Sequence, residues 1–259
     1  MAVELYNDGK HICLGFFDLV DDGGDAAVQC NQFLVVDSGK AALIDPGGGL
    51  SYNSLLLALQ KHVTIKDLEF ILASHSDPDV IASVNKWFVS TQCRVHVSRL
   101  WTRFLPHFTT GRIDAERIVA IADEGAVIPL GSTSISAVPA HFLHSEGNFQ
   151  FYDPVSKILF SGDLGASIVP QERAAEAVQD FDAHLRYMVG FHRRYMASNK
   201  VCRLWANMVR GLDIHMIVPQ HGSRFVGRDM VERFIDWVEN LSCGVDLMAQ
   251  ENYRIPGGR

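Results

Sequence analysis

Short apolar runs separated by turn residues dominate the first half of the chain. Two of them, residues 28–36 and 41–44, flank the turn signal at residues 37–40, a pattern that predicts a β-hairpin. After a glycine-rich break, the leucines of residues 51–62 recur at helical spacing. A compact apolar run at residues 68–73 then ends abruptly in polar residues, which is typical of a buried strand that presents side chains at its carboxyl end.

The rest of the chain alternates predicted strands with predicted helices. The strands are residues 94–97, several short ones within 116–130, then 133–138, 149–152, 157–160 and 214–218. The helices are residues 82–88, 171–210 with a break near Ser198-Asn199, and 231–241. No linker, charge block or internal repeat divides the chain. We therefore expect residues 1–259 to form a single layered domain of the α/β class, with sheets flanked by helices.

Size and composition fit an ordinary globular protein. The chain has 259 residues, of which 47% are hydrophobic and 20% are charged, values that exclude a disordered or low-complexity protein. A chain of this length buries roughly 70–75% of the surface that its unfolded form exposes, so it needs no disulfides for stability. The same length leaves little room for a separate cofactor domain of about 150 residues.

Charge and cysteine content narrow the class of protein further. Lysine and arginine number 23 and aspartate and glutamate 30, a net charge of −7 that argues against nucleic-acid binding. The five cysteines are scattered without a CxxC pair, which predicts reduced thiols in a cytoplasm rather than a disulfide framework or a cysteine zinc site. No signal peptide is visible, and no apolar stretch approaches the ~20 residues of a membrane span, so we expect no membrane partner.

Most of the eleven histidines are not expected to bind metal. Six lie in helix or strand patterns with no other potential ligand nearby in the pattern: His11, His62, His96, His184, His192 and His215. His107 follows Pro106 in an aromatic loop and could border a pocket.

The segment Ser74-His75-Ser76-Asp77-Pro78-Asp79 carries more information. His75, Asp77 and Asp79 alternate on a loop directly after the predicted strand 68–73, and loops at strand ends often carry function in α/β sheets. An alternative is a plain helix start, with Pro78 at the first helical position and Asp79 in the first turn. That alternative accounts for residues 77–79 and leaves His75 unexplained.

Three further segments have the same form, a predicted strand followed by a short polar stretch with a potential ligand. Residues 137–145 offer His141 and His144. Residues 158–165 and 217–223 end in polar stretches that offer Asp163 and His221. Together with His75, Asp77 and Asp79, these segments predict a metal site built from histidines and aspartates at the ends of strands.

The order HxDxD, a later histidine, SGD and QHG resembles that of the metallo-β-lactamase fold. The resemblance covers almost the whole chain, including the early segment FLVVDSGKAALIDPGG. It implies an αββα sandwich of two mixed β-sheets flanked by helices, with a dinuclear metal site at one edge.

Within that superfamily the pattern is similar to the diiron domain of flavodiiron proteins, which read HxExDH, then His, Asp and His. Hydrolases of the fold usually read HxHxDH. Here Asp77 stands in place of the second histidine or the glutamate, and Val80 stands where the histidine after the aspartate would be. A mixed set of histidines and carboxylates suits iron better than zinc, while Val80 leaves the second metal subsite one ligand poorer.

The resemblance also implies a role for each ligand. One iron would be bound by His75, Asp77 and His144, the other by Asp79 and His221, with Asp163 bridging the two. The segment Leu143-His144-Ser145 occupies the place of a Leu-His-Trp segment in the family, which favours His144 over His141 as the ligand. Four aromatic residues could wall the site against water or simply pack in the core: Phe16, Phe17, Phe142 and Phe149.

Two iron ions (Fe2+/Fe3+) joined by a bridging oxo or hydroxo group are the cofactor that the resemblance implies, with O2 or NO as ligand. Flavodiiron proteins reduce these gases with a fused flavin domain, whereas neither a flavodoxin domain nor an FMN phosphate loop is visible in this sequence. We therefore expect no FMN here. The chain resembles the stand-alone oxygen-binding diiron proteins associated with bacterial chemotaxis.

Two roles follow from this resemblance. An oxygen sensor would act with a signalling protein, and an O2 or NO reductase would need a separate electron donor. A homodimer is plausible by family habit only. The alternative class is a dinuclear zinc or manganese hydrolase of the same fold that uses a metal-bound hydroxide on an ester, thioester or phosphodiester. A metal-free scaffold would require six ligand-type residues to coincide by chance.

Overall fold

The structure is a computed structural model, and it describes residues 2–20, 27–110, 115–170 and 173–257. In these residues the first sheet has seven strands, which lie side by side in sequence order. They are β1 (Ala2–Asn7), β2 (His11–Phe16), β3 (Gln32–Asp37), β4 (Lys40–Ile44), β5 (Leu68–Leu72), β6 (Arg94–Ser98) and β7 (Ile118–Ile121). The pairs from β1 to β4 are antiparallel, and those from β4 to β7 are parallel.

The second sheet has six strands within the same ranges. They are β8 (Ala126–Leu130), β9 (Thr133–Pro139), β10 (Phe149–Asp153), β11 (Ile158–Phe160), β12 (Met216–Val218) and β13 (Phe225–Val226). Across the sheet their order is β13-β12-β11-β10-β9-β8. Only the β11–β12 pair of these strands is parallel, so both sheets are mixed.

The helices form the outer layers. They are α1 (Tyr52–Leu59), α2 (Pro78–Ile81), α3 (Val84–Ser90), α4 (Phe181–Tyr195), α5 (Asn199–Val209) and α6 (Arg228–Glu239). Short 3-10 turns are formed by Ile65–Asp67, Leu105–Phe108, Ala115–Arg117, Gly244–Leu247 and Gln250–Asn252. No helix in the described ranges is both long enough and apolar enough to span a bilayer.

Three apolar cores separate the layers, as an αββα sandwich requires. Between the sheets, side chains such as Phe70 and Phe160 are almost completely buried. Trp87 of α3 packs in the core beneath α1–α3, and Trp205 of α5 packs in the core beneath α4–α6. The predicted sandwich of two mixed sheets flanked by helices is therefore confirmed.

Several predicted elements need correction. β1 and β2 were not expected, because β1 is a half-exposed strand with no clean alternation of polar and apolar residues. The predicted helix at 171–210 begins only at Phe181, where the Asp180 carboxylate accepts a hydrogen bond from the Ala183 N–H and caps α4. The predicted break near Ser198 is present, since α4 ends at Tyr195 and α5 begins at Asn199.

The directions of the strands define two edges of the sandwich. β11 and β12 are parallel, so residues 161–163 and 219–221 emerge at the same edge. β5 of the first sheet delivers residues 74–79 there too, because the Phe149 N–H at the start of β10 donates to the Ser74 carbonyl. The predicted ligand segments thus meet at one edge, while Asp153, at the far end of β10, lies at the opposite edge.

Candidate metal centre

The loop between β5 and α2 brings three predicted donors to the site edge. Pro78 occupies the first turn of α2, and Asp77 has the extended backbone of an N-cap residue. The side chain of Asp77, however, makes no capping hydrogen bond. Its Oδ2 lies 3.5 Å from His144 Nε2 and 3.7 Å from His75 Nε2. A helix start therefore explains the backbone of this loop but not the direction of the Asp77 carboxylate.

Asp163 connects the remaining donors. Its Oδ2 lies 3.0 Å from His144 Nε2, and its Oδ1 lies 3.8 Å from His75 Nε2 and 3.6 Å from His221 Nε2. The Nε2 of His221 is also 3.2 Å from Asp79 Oδ2. The structure thus brings all six predicted residues together and divides them around Asp163 into one group with His75, Asp77 and His144 and another with Asp79 and His221.

The two groups differ in their supply of donors. Ligand atoms of His75, Asp77, His144 and Asp163 all lie within 4.8 Å of one another, as a shared ion requires. The second group has only His221 and Asp79 besides Asp163. Val80, which follows Asp79, has no ligand atom and is fully buried in the core beneath α1–α3. The second group is therefore the poorer binding position.

Two buried polar atoms at the centre of the cluster have no hydrogen-bond partner. They are His75 Nε2 and Asp163 Oδ1, which belong to side chains that are 1% and 5% exposed. Leaving such a group unpaired costs about 1–3 kcal/mol, and more when the group is charged. A cation between these atoms would satisfy both, so the donor set fits a metal ion. Histidine nitrogens mixed with carboxylate oxygens are compatible with iron.

Hydrogen bonds from behind fix two of the histidine rings. His75 Nδ1 donates to Ser74 Oγ at 2.9 Å, and Ser74 in turn donates to the buried Asp45 through both its hydroxyl and its N–H. His221 Nδ1 donates to the Gln29 carbonyl at 2.7 Å. Because Nδ1 donates to these oxygens in both rings, each Nε2 is turned toward the cluster, where it can bind a metal ion in place of a proton.

The pKa shifts of the cluster show that its carboxylates favour a positive charge between them. Burial lowers the pKa of His75 and of His221, but the nearby carboxylates, Asp163 first, outweigh it and raise both values to about 9. Burial raises the pKa of Asp163, and its three histidine neighbours outweigh that effect and hold the value well below the usual range. Burial raises the pKa of Asp45 to about 6 despite the opposing effect of His75.

Helix α4 supplies residues around the cluster that the sequence reasoning missed. The rings of Phe191 and Tyr195 stack at 4.7 Å and meet the His144 ring edge-on, at 5.8 and 5.6 Å. His192, completely buried, accepts a hydrogen bond from the Gly165 N–H at 2.8 Å and donates from Nδ1 to the Met188 carbonyl. His192 thereby supports the loop that carries Asp163. The aromatic spacing of α4 alone does not distinguish such residues from core residues.

The other predicted residues lie elsewhere. His141 donates from Nε2 to the Asp123 carbonyl at 2.8 Å and packs edge-on against Phe149, so it points away from the six donors. Phe16 packs on the helix side of the first sheet, against His62. Phe142 is 47% exposed, and the aromatic residues beside His144 are those of α4.

The expectation that His11 has no potential ligand nearby is wrong. Its Nε2 lies 2.7 Å from Asp153 Oδ2, and its Nδ1 lies 3.2 Å from Asp37 Oδ1. These partners are 142 and 26 residues away in sequence, so a search along the chain does not find them. His215 also has a neighbouring carboxylate, since its Nε2 lies 3.1 Å from Asp213 Oδ1, and both side chains are exposed.

Comparison with solved structures defines the class of fold. The rubredoxin:oxygen oxidoreductase of Desulfovibrio gigas superimposes with a TM-score of 0.77 at 17% identity, over 92% of this chain and 61% of that one. A single-residue mutant of a flavo di-iron protein from Thermotoga maritima gives 0.74 at 19% identity, over 92% and 60%. At these identities the likeness shows the fold alone. This chain has the metallo-β-lactamase fold that flavodiiron proteins use for their diiron domains.

Sequence comparison defines the family. The family described as ODP family beta lactamase matches residues 28–222, so the chain belongs to it. A structure described as the peroxy diiron species of the chemotaxis sensor ODP is 38% identical over 97% of this chain and 98% of that one, with a TM-score of 0.85. The apo state of the chemotaxis sensor ODP from T. denticola gives the same TM-score at 37% identity and the same coverage.

A more distant curated relative is an uncharacterized protein of Methanocaldococcus jannaschii, MJ0732. It is 25% identical over 221 residues, which cover 81% of this chain. The match takes in 53% of that protein, so the chain spans about half of its length.

Proposed function

We propose that this protein binds O2 at a dinuclear iron centre and acts as an oxygen sensor. The proposal rests on one observation. Six donor side chains lie together, and at their centre two buried atoms, His75 Nε2 and Asp163 Oδ1, have no hydrogen-bond partner. Membership of the ODP family supports iron as the metal, because the related chemotaxis sensor is described as a diiron protein. The alternative function is a zinc or manganese hydrolase of the same fold.

In this proposal each residue has a defined task. One iron would be held by His75, Asp77 and His144, the other by Asp79 and His221, and Asp163 would contribute to both positions. Bound ferrous iron would supply the electrons that O2 requires. Ser74 and the Gln29 carbonyl keep the two Nε2 atoms directed at the metals, and such supporting partners are commonly worth 10- to 100-fold in metal affinity.

The surroundings of the cluster determine how ligands reach it and which of the two positions binds iron more tightly. Phe191 and Tyr195 pack beside the His144 ring and help to hold it in place. Asp77 and Asp79 are the most exposed of the six donors, with side chains that are 43% and 38% accessible, so small ligands reach the cluster from their side. Because the second position has fewer donors, we expect its iron to be bound more weakly than the first.

Metal analysis tests the identity of the cofactor. Protein purified without added metal should contain up to two irons per chain and absorb in the near ultraviolet once oxidised. Because hosts can load the wrong metal, the metal-free protein should also be titrated with Fe2+ under anaerobic conditions and with Zn2+ in parallel. Two tightly bound zinc ions, no response to Fe2+ and hydrolysis of a generic ester or phosphodiester would favour the hydrolase.

Stopped-flow mixing of the ferrous protein with O2 separates a sensor from a reductase. A sensor should give a long-lived absorption change with one O2 taken up per centre and little further consumption. Rapid, continuing consumption of O2 in the presence of a separate reductase and NADH would contradict the sensor role. In that case the protein would be a reductase with an external electron donor. Replacing O2 by NO in the same experiment measures the preference between the two gases.

A further inference from the structure

Two of the five cysteines touch each other in the core beneath the C-terminal helices. The Sγ of Cys202, in α5, lies 3.8 Å from the Sγ of Cys243, which follows α6. Both side chains are completely buried. The other three thiols lie apart from any second cysteine: Cys13 is near Asp153, Cys30 near the Gln32 amide and Cys93 near the Thr91 hydroxyl. Buried thiols usually behave as small apolar groups, and it is the contact between two of them that is unusual here.

Neighbouring hydrogen bonds hold the two thiols face to face. The Asn199 amide, one turn before Cys202, donates to the Glu239 and Leu241 carbonyls at 2.8 and 2.9 Å, which ties the start of α5 to the end of α6. Gly244 follows Cys243 at φ +53°, and a Cβ there would lie within 2.2 Å of two backbone carbonyls. The position of Cys243 is therefore set by the backbone on both sides.

The contact is compatible with a covalent bond. A disulfide needs the two sulfur atoms about 2.05 Å apart, so the sulfurs must approach each other by less than 2 Å. Because the backbone is anchored on both sides, rotation of the two side chains about their Cα–Cβ bonds must supply this approach. The hydrogen bond between the two thiols lowers the pKa of Cys243 and raises the pKa of Cys202, so Cys243 is the more acidic thiol of the pair.

The segment that carries Cys243 lies at the surface of the protein. Ser242 and Val245 are exposed, whereas the Cys243 side chain between them is buried. A cavity of about 300 Å³ lined by Trp237, Leu241 and Ser242 opens next to this segment. It has room for a molecule as small as hydrogen peroxide.

We propose that Cys202 and Cys243 are a modification site that closes to an intramolecular disulfide in the presence of a peroxide. The Cys243 thiolate attacks one peroxide oxygen, the O–O bond breaks, and the departing hydroxide takes a proton to become water. The resulting sulfenic acid is attacked by the sulfur of Cys202. The S–S bond forms, the S–O bond breaks and a second water leaves. Two thiols are thereby oxidised and one hydrogen peroxide is reduced to two waters.

Peptide mapping of the full-length protein tests the proposal directly. The protein is treated with hydrogen peroxide, blocked with an alkylating agent while it unfolds, and digested with trypsin without reduction. Cleavage after Lys200, Arg203, Arg233 and Arg254 places Cys202 in peptide 201–203 and Cys243 in peptide 234–254. We expect these two peptides to appear joined and to separate on reduction, while thiol titration of the unfolded protein falls from five to three. The result should be the same after the metal has been removed.

Two variants serve as matched controls. Cys93→Ser should still form the linked peptide, because Cys93 is bonded to Thr91 and lies in another core. Cys202→Ser should abolish the link and leave Cys243 as a sulfenic acid that dimedone traps. Five intact thiols after peroxide treatment, or oxidation confined to Cys13, Cys30 or Cys93, would overturn the proposal. The wild-type experiment alone decides the matter if the Cys202 variant does not fold.

Discussion

The two edges of the sandwich each carry a cluster of histidine and aspartate whose ligand atoms lie close together, and the two clusters differ in how their polar atoms are paired. At one edge, ligand atoms of His75 and Asp163 have no hydrogen-bond partner. At the other edge, His11 lies between Asp37 and Asp153, and both of its ring nitrogens are bonded to carboxylates. The residue types are alike, and each cluster has a buried histidine and a buried aspartate at its centre, so composition alone does not distinguish the two clusters.

The difference lies in how completely each cluster satisfies its own polar atoms. Around His11, the Asp37 carboxylate also accepts from the N–H and hydroxyl of Ser132, and Asp153 accepts from Ser156 and from the Val155 N–H. Ligand atoms of His11, Cys13 and Asp153 lie within 4.8 Å of one another, but each side-chain nitrogen and oxygen of His11, Asp37 and Asp153 already has a hydrogen-bond partner. Around Asp163, hydrogen bonds support the Nδ1 atoms of His75 and His221, and His75 Nε2 and Asp163 Oδ1 are left without a partner. Cys13 brings a thiol close to Asp153, but it too has bonding partners there.

Asp163→Asn should have the largest effect on metal content, and it tests whether the cluster around Asp163 holds the metal. An amide lacks the negative charge that Asp163 contributes to both positions. We therefore expect the total metal content to fall from about two ions per chain to well below one, with a loss at both positions. Elemental analysis of the anaerobically reconstituted protein measures this result. The matched control is Asp37→Asn at the other edge, which should keep its metal. If both variants keep two ions, Asp163 does not bridge the centre.

His11→Gln tests whether the cluster around His11 contributes to stability and not to metal binding. It removes the positive charge from between two buried carboxylates, and breaking a buried pair of this kind costs about 3–5 kcal/mol. We expect the free energy of unfolding to drop by about 3 kcal/mol while the metal content of the folded protein stays normal. Urea unfolding of the metal-free protein and elemental analysis give the two quantities. Loss of metal without loss of stability would mean that this cluster also binds an ion.

The effect of His11→Gln should depend on pH in a defined direction. Burial lowers the pKa of His11, but hydrogen bonds and charges from Asp153 and Asp37 outweigh it and raise the pKa in the folded protein. The imidazolium therefore stabilises the fold fully below about pH 6.5, the unfolded value, and this contribution is lost as pH rises through the folded value. The difference between wild type and variant should be larger at pH 6 than at pH 9. Equal differences at both pH values would show that His11 is neutral.

The candidate metal centre could be predicted from sequence because each donor segment follows an apolar run. His75, Asp163 and His221 come within a few residues of the ends of β5, β11 and β12, and strand ends are where the chain changes from buried to exposed. Such a signal is local and can be read along the chain. The alternation of short strands and helices predicted only a layered domain of sheets flanked by helices, and the sandwich of two mixed sheets was implied by the resemblance to the metallo-β-lactamase fold.

Contacts between distant segments could not be predicted in this way. His11 and Asp153 are 142 residues apart, and only the packing of one sheet on the other brings them together. His192 looks like any buried residue of an amphipathic helix, and its bond to the Gly165 N–H depends on how α4 crosses the second sheet. β1 escaped prediction for a related reason, because a half-exposed strand gains its structure from pairing with β2 rather than from its own pattern.

His192→Phe tests whether the hydrogen bond that anchors the loop carrying Asp163 contributes to metal affinity. The substitution keeps an aromatic side chain but removes the acceptor for the Gly165 N–H, so the loop with Asp163 loses an anchor. We expect a 10- to 100-fold weaker affinity for the more weakly bound metal. His184→Phe is the matched control, because His184 is a buried histidine of the same helix that packs against Phe225. Competition with a chelator measures the affinities, and equal losses in the two variants would point to a general packing defect.

The smallest effect is expected for His141→Ala, and it decides between two histidines three residues apart. His141 bonds to the Asp123 carbonyl, while His144 lies 3.0 Å from Asp163, so losing His141 should leave metal content near normal. His144→Ala should reduce occupancy of the position shared with His75 by more than half, because one of its few nitrogen donors is gone. Elemental analysis of both variants, with circular dichroism to confirm folding, makes the measurement. The opposite pattern would require the 140–148 loop to turn when metal binds, so that His141 rather than His144 faced Asp163.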